Sequence, residues 1–317
     1  MITLASGISY VDLRFLGVPR IIATAVLHGP GGVALLDPGP SSTLPTLKAS
    51  LAAAGIGLSD VTVVLLTHIH LDHAGATGTL VRENPAIRVY VHEQGAPHMA
   101  SPEKLIASAT RLWGDDMDRL WGEMRAVPQA SMTVLAGGER ISAGGRDLDV
   151  VYTPGHASHH VSYFNDAAGV AFTGDTAGMK LKETGVVLAP TPPPDIDLDL
   201  WRRSLEAIGA RRPETVFVTH FGPYTPVPVH LAEMAASLET TSGLVHRSLA
   251  IDGTDEVREA WFTEELRTLL RRRLSNDDAD AYEVAGRFDL SWRGLARYWR
   301  KLAPGSQPRP VSGPPSA

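Results

Sequence analysis

The stretch THIHLDHAG, residues 67–75, sets His68, His70, Asp72 and His73 within six positions. Imidazole and carboxylate are the ligand types that hold zinc, iron or manganese. Packed together without a cation, four such groups would forfeit solvation and repel one another at low pH. A lone histidine is usually a satisfied core or surface residue. A His-x-His-x-Asp-His run behind an apolar strand is not explained that way. Three further segments end in residues of the same kind: VVYTPGHASHH brings His156, VAFTGDTAG brings Asp175 and VFVTHFGP brings His220. Gathered at one edge, these seven residues suffice for two metal ions.

Each of these segments follows an expected strand, and functional groups collect where strands end and loops begin. VTVVLL at 61–66 is apolar and β-branched, a buried strand that runs straight into the cluster. Strands are also expected at 87–91, 148–152, 161–165, 169–173 and 215–220, and residues 8–36 read as strands joined by tight turns. Helical spacing covers 42–54, 73–83, a stretch from about 198, then 231–248, 255–274 and about 289–302. Strands and helices alternate, but the leading strands look like hairpins. A mixed α/β domain is therefore expected, not a purely parallel sheet. It would span 1–230, followed by a C-terminal helical region, 231–303, and a Pro/Gly/Ser-rich tail, 304–317, expected to be disordered.

Residues 97–126 interrupt the alternation. Trp113, Met117, Trp121 and Met124 recur at spacings of four, four and three, as on one helical face. Such a stripe packs into a core or covers a pocket, and both hold if the helix lies over the mouth of the sheet. Trp113, Met117 and Trp121 are thus candidate pocket residues, together with the proline-rich loop APTPPPDID at 189–197. Tyr224, in HFGPYTP, either donates to a substrate oxygen or packs. His92 and His98 are expected at the surface, and His28, His230 and His246 in structural roles.

Composition narrows the function classes. Hydrophobic residues make up 44% of the 317 and charged residues 20%, enough for a real core. A net charge of −6 and the lack of a long basic run argue against nucleic acid; RTLLRRRL at 267–274 also carries helical apolar spacing. With no cysteine, neither a disulfide framework nor a thiolate metal site can form. No signal-like start and no run of ~18 apolar residues occurs. A soluble, cytoplasmic protein is expected, acting on a small molecule without nucleic acid or membrane; a homodimer is compatible.

Taken in order, Asp37 in LLDPG, the His-x-His-x-Asp-His run, PGH, GD and a last histidine resemble the metallo-β-lactamase-fold superfamily, in its glyoxalase II-like and lactonase-like branch. The motifs span residues 37–220. The resemblance implies an αββα sandwich of two mixed sheets with the metals at one edge. It implies that His68, His70 and His156 bind one divalent ion, that Asp72, His73 and His220 bind a second, and that Asp175 bridges them. Zinc is the metal implied first, with iron or manganese as alternatives. Asp37 would support the ligands without touching metal. His159, close behind PGH, either shares that role or is polar filling.

The reaction implied is hydrolysis of an ester, lactone or thioester by a hydroxide bridging the ions, with Asp72 orienting the nucleophile and carrying its proton. The alternatives are a mononuclear iron oxidoreductase of the persulfide dioxygenase kind and a non-catalytic metal-binding protein of the same fold. The acyl substrate stays open, since GDTAGMKLKETG has no tyrosine where lactonases carry one.

Overall fold

The computed structural model describes residues 1–303; the expected disordered tail lies outside the described residues. β1 (Ile2–Ala5), β2 (Ile8–Asp12), β3 (Ala23–Gly29) and β4 (Gly32–Leu36) pair antiparallel in chain order. β5 (Val61–Leu65), β6 (Arg88–His92) and β7 (Met132–Leu135) then add in parallel, completing a seven-stranded mixed sheet. The second sheet holds six strands: β8 (Arg140–Ala143), β9 (Arg146–Tyr152), β10 (Val161–Asn165), β11 (Val170–Gly174), β12 (Thr215–Val218) and β13 (Gly222–Tyr224). Its β11–β12 pair is parallel and its other pairs are antiparallel.

Helices fill the connections: α1 (Leu44–Ala53), α2 (Leu71–Ala74), α3 (Thr77–Glu83), α4 (Ala96–Ala100), α5 (Glu103–Trp113), α6 (Met117–Trp121) and α7 (Leu198–Ala210). α8 (Val227–Ser248), α9 (Asp255–Arg271), α10 (Asn276–Gly286) and α11 (Phe288–Leu302) follow the last strand. None of the described helices is long and apolar enough to cross a membrane.

The layering follows from the period of two along each strand. In β3 and β4, Ala25, Leu27, Ala34 and Leu36 share a core with Val150, Tyr163, Phe172 and Phe217 of the second sheet. Val26, Val33 and Leu35, one residue out of step, join Leu47, Leu51 and Leu80 of the covering helices instead. On the second sheet, Ala171, Val216 and Val218 meet Trp201, Leu205 and Ile208 of α7. The result is the expected αββα sandwich.

One expectation needs correction. The face from Trp113 to Met124 is not one helix, because α5 and α6 stop at Gly114 (φ 52°) and Gly122 (φ 65°), whose left-handed backbone a helix cannot continue through. The C-terminal helices follow the sandwich as expected. α10 and α11 meet at Arg287 (φ 40°), and this junction faces the rim that carries the His/Asp cluster.

Candidate metal centre

β4, β5, β9, β11 and β12 end at one rim of the sandwich. Asp37 directly follows β4, Asp175 directly follows β11, and His220 comes two residues after β12. The His-x-His-x-Asp-His run leaves β5 and turns into α2, which carries Asp72 and His73. His156 stands in the loop beyond β9. Gly155 makes that loop fit: at φ 132°, a Cβ there would lie 2.3 Å from the Trp201 Cα of α7.

These strand ends bring all seven expected ligand residues together. Ligand atoms of His68, His70 and His156 lie within 4.8 Å of one another, as do those of His68, His73 and Asp175, and those of Asp72, His73 and His220. Asp175 stands between the groups, with Oδ2 3.4 Å from His156 Nε2 and Oδ1 3.3 Å from His73 Nε2 and 3.5 Å from His220 Nε2. Asp72 Oδ2 lies 3.3 Å from His220 Nε2.

The backs of the rings decide what their fronts offer. His73 Nδ1 donates to Asp37 Oδ2 (2.9 Å), His156 Nδ1 to the Pro190 carbonyl (2.9 Å) and His220 Nδ1 to the Ile21 carbonyl (2.7 Å). Thr67 Oγ1 gives its proton to Asp37 Oδ2, so it accepts from His68 Nδ1 at 3.1 Å. In each ring the proton fixed on Nδ1 turns Nε2 into the cluster, where the neutral ring offers its lone pair. His68 Nε2, His73 Nε2 and Asp175 Oδ1 are buried without a hydrogen-bond partner. The last two stand 3.3 Å apart as an ion pair. Orphaned acceptors of this kind are costly in a buried site, and a divalent cation satisfies all of them. The donor set, nitrogen and carboxylate oxygen without sulfur, fits zinc, iron or manganese.

The electrostatics divide the cluster in two. Burial, reinforced by neighbouring imidazoles, holds His68 well below the ordinary histidine value and His70 at about 3; burial also lowers His156. Burial pulls His73 down as well, but Asp175, Asp72 and Asp37 outweigh it and hold the ring well above the ordinary value. His220 is raised against burial by Asp175 and Asp72. Burial pushes the Asp72 carboxyl up, yet His73 and His220 bring it down to about 2.

Beneath the ligands, Asp37 is fully buried and accepts from Thr67 N–H, Thr67 Oγ1, Thr219 Oγ1 and His73 Nδ1. It ties the ends of β4, β5 and β12 together. Sequence reasoning missed the role of His160. Its Nε2 accepts from the Asp175 N–H (3.3 Å), while Nδ1 is held by Thr153 Oγ1 (2.9 Å) and Thr176 Oγ1 (3.1 Å). His160 therefore fixes the backbone that presents Asp175, and its one sequence signal was adjacency to His159. His159 takes the opposite bond: its Nδ1 accepts from the Ile69 N–H at 3.4 Å.

Above the centre opens a cavity of about 460 Å³. His70, Asp72, Asp175, His220 and His159 line its floor; Ile69, Leu71, Leu105, Leu112 and Met179 give it apolar walls. Trp113 and Trp121 line it and meet edge to face at 5.0 Å, and the prolines of the 189–197 loop form another side. Arg287 stacks over Trp113 at 4.2 Å, so the C-terminal helices supply the far wall with Ala285, Gly286 and Leu290. Three expected placements differ. Met117 packs against the core rather than the cavity, while of the two readings of Tyr224 packing holds, since it is buried with its hydroxyl donating to the Lys180 carbonyl. His92, expected at the surface, is buried and stacked on Tyr152, and His98, also expected at the surface, lines the cavity.

The model of the metallo-beta-lactamase superfamily matches residues 17–220, which include every residue of this centre. The chain belongs to the metallo-beta-lactamase superfamily. A metallo-beta-lactamase fold-containing protein of Sulfurisphaera tokodaii, ST1585, is 30% identical over 226 residues, 70% of this chain and 81% of that one. A hydroxyacylglutathione hydrolase of Hahella chejuensis is 30% identical over 148 residues, 46% of this chain and 43% of the hydrolase. Among solved structures, a metallo-beta-lactamase family protein of Thermus thermophilus, TTHA1429, superposes with a TM-score of 0.68 at 25% identity, covering 95% of each chain. At that coverage the likeness includes most of the C-terminal helices of this superfamily member. Membership of this superfamily gives the chain a hydrolase-like, divalent-metal character, and the His/Asp groups of the centre are the candidate metal-binding residues.

Proposed function

We propose that the chain is a two-metal hydrolase of ester, lactone or thioester carbonyls carried by a small, partly apolar molecule. The observation that carries this reading is the set of converging ligand residues on the floor of an apolar-walled cavity. The Asp72–His73–His220 group, standing beside the His68–His70–His156 group, favours two ions over one and so hydrolysis over mononuclear iron chemistry. Divalent ions held there supply Lewis acidity, which polarises a carbonyl and makes water nucleophilic near neutral pH.

The chain's own residues do the rest. Asp72 reaches the cavity and stays ionised over the working pH range, so its carboxylate accepts a hydrogen bond from the incoming water and aims it. A value of about 2 suits orientation more than proton storage. The water oxygen bonds to the acyl carbon, the C–O or C–S bond breaks, and a water proton ends on the leaving oxygen or sulfur. The tryptophan and leucine walls hold the acyl part and exclude bulk water.

The test is metal-dependent turnover. Protein stripped by a chelator is reloaded with zinc, manganese or iron and assayed on aryl esters, lactones and thioesters. Activity is expected to vanish on stripping and to return as the second equivalent binds. Metal-replete protein that turns over no member of the panel rejects the reading. Activity that saturates at one equivalent of iron favours the mononuclear alternative.

A further inference from the structure

The ligand-type histidines His68, His73, His156 and His220 each keep a proton on Nδ1 and turn Nε2, the atom that would meet a cation, toward the cluster. His159 is wired the other way. The Ile69 N–H donates to its Nδ1, so the lone pair is spent there and the proton of the neutral ring sits on Nε2. Ile69 lies between His68 and His70, so this bond anchors His159 to the ligand loop itself. The ring stands 5.7 Å from that of His70 and 6.1 Å from that of His68, and it lines the cavity floor. Its Nε2 is not sealed in the protein interior as the unpartnered Nε2 atoms of His68 and His73 are. A neutral N–H donor therefore opens into the cavity beside the His68–His70–His156 group.

We propose that His159 is a substrate-contacting residue whose Nε2–H donates to the acyl carbonyl oxygen and strengthens that bond as negative charge develops there. The proposal rests on the acyl-hydrolase reading above. A lone pair at Nε2 would ligate a cation; a proton there repels one and suits an oxyanion. The role differs from ligand support. Support acts through Nδ1 and Ile69, whereas the donation acts through the opposite nitrogen.

The experiment compares wild type, His159→Phe and His159→Gln in the metal-loaded protein. Phenylalanine keeps a ring of similar size without either nitrogen, and glutamine returns an N–H near the Nε2 position. Expected for His159→Phe is a loss in kcat of about 10²-fold with two metal equivalents retained, the scale of removing one oxyanion donor. His159→Gln is expected to recover at least about tenfold of that loss. Binding of octanoate, whose carboxylate oxygens stand in for the acyl oxygens, is read by calorimetry and is expected to weaken about tenfold in His159→Phe. An active wild type whose His159→Phe variant keeps its kcat and its octanoate affinity overturns the donor role alone. Parallel loss of metal and activity in both variants also overturns it, in favour of ligand support. A wild type that neither turns over the substrate panel nor binds octanoate overturns the acyl-hydrolase reading and this inference with it.

Discussion

At the scale of residues, the centre is two sets of histidines with opposite appetites for protons. Burial keeps His68, His70 and His156 below the ordinary histidine value, so above about pH 6.5 no proton competes with a cation there. Carboxylates hold His73 and His220 above that value, so near neutral pH a cation must displace their protons. The sign follows from competition: affinity for a cation at the Asp72–His73–His220 group rises with pH above about 6.5 for as long as those two rings hold protons, by about tenfold per unit for each proton released. Zinc titration of stripped protein against a chromophoric chelator, repeated across that range, is expected to show one flat and one rising affinity. Equal slopes for both equivalents would contradict the division. The candidate ligands were legible in the sequence because four of them fall within six positions and the others sit at strand ends. The roles of His159 and His160 were not. Each role is set by which ring nitrogen a partner occupies, and those partners, Ile69 and Asp175, come from other strand ends.

At the scale of elements, the lid helices separate two tryptophans that look alike in the sequence. Trp121 is 8% exposed and stacks on Phe15 at 5.5 Å, within the core under α6. Trp113 is only partly buried, and its ring carries Arg287 on one face. Trp121→Ala is therefore expected to cost about 3–5 kcal/mol of stability, the usual toll for a core tryptophan, visible as a fall in Tm. Trp113→Ala is expected to raise KM for long-chain acyl substrates several-fold, with a small change in Tm and none in metal content. The reverse ranking would make Trp113 the anchor and Trp121 the contact. The main strands were readable because runs such as VTVVLL and VAFTG are apolar and β-branched, bounded by glycine or by the cluster. β7 and β8 escaped because they are four residues each and partly exposed, with Val134 at the surface: MTVL is too short a run to stand out and RISA alternates polar with apolar.

At the scale of the whole molecule, the cavity is closed by segments remote in the chain. α5 and α6 cover one side, and the α10–α11 junction covers the other. Arg287 joins them, stacked on Trp113 while its guanidinium forks onto Asp289 at 2.8 and 2.6 Å. Arg287→Ala is expected to speed hydrogen exchange across 103–121 and leave the metal content unchanged. Arg287→Lys is expected to restore little, since an ammonium neither stacks nor forks in this way. Unchanged exchange in Arg287→Ala would show that the lid holds without the clasp. This closure could not be read from the sequence, because nothing in the spacing of Arg287 or Leu290 links them to a tryptophan so far back in the chain. All seven ligand-type residues lie between His68 and His220, whereas part of the wall begins at Ala285. Part of the cavity's shape is thus written in a stretch of the chain apart from the candidate metal centre. A lineage carrying this scaffold can change its diet by editing the far wall and leave its chemistry untouched.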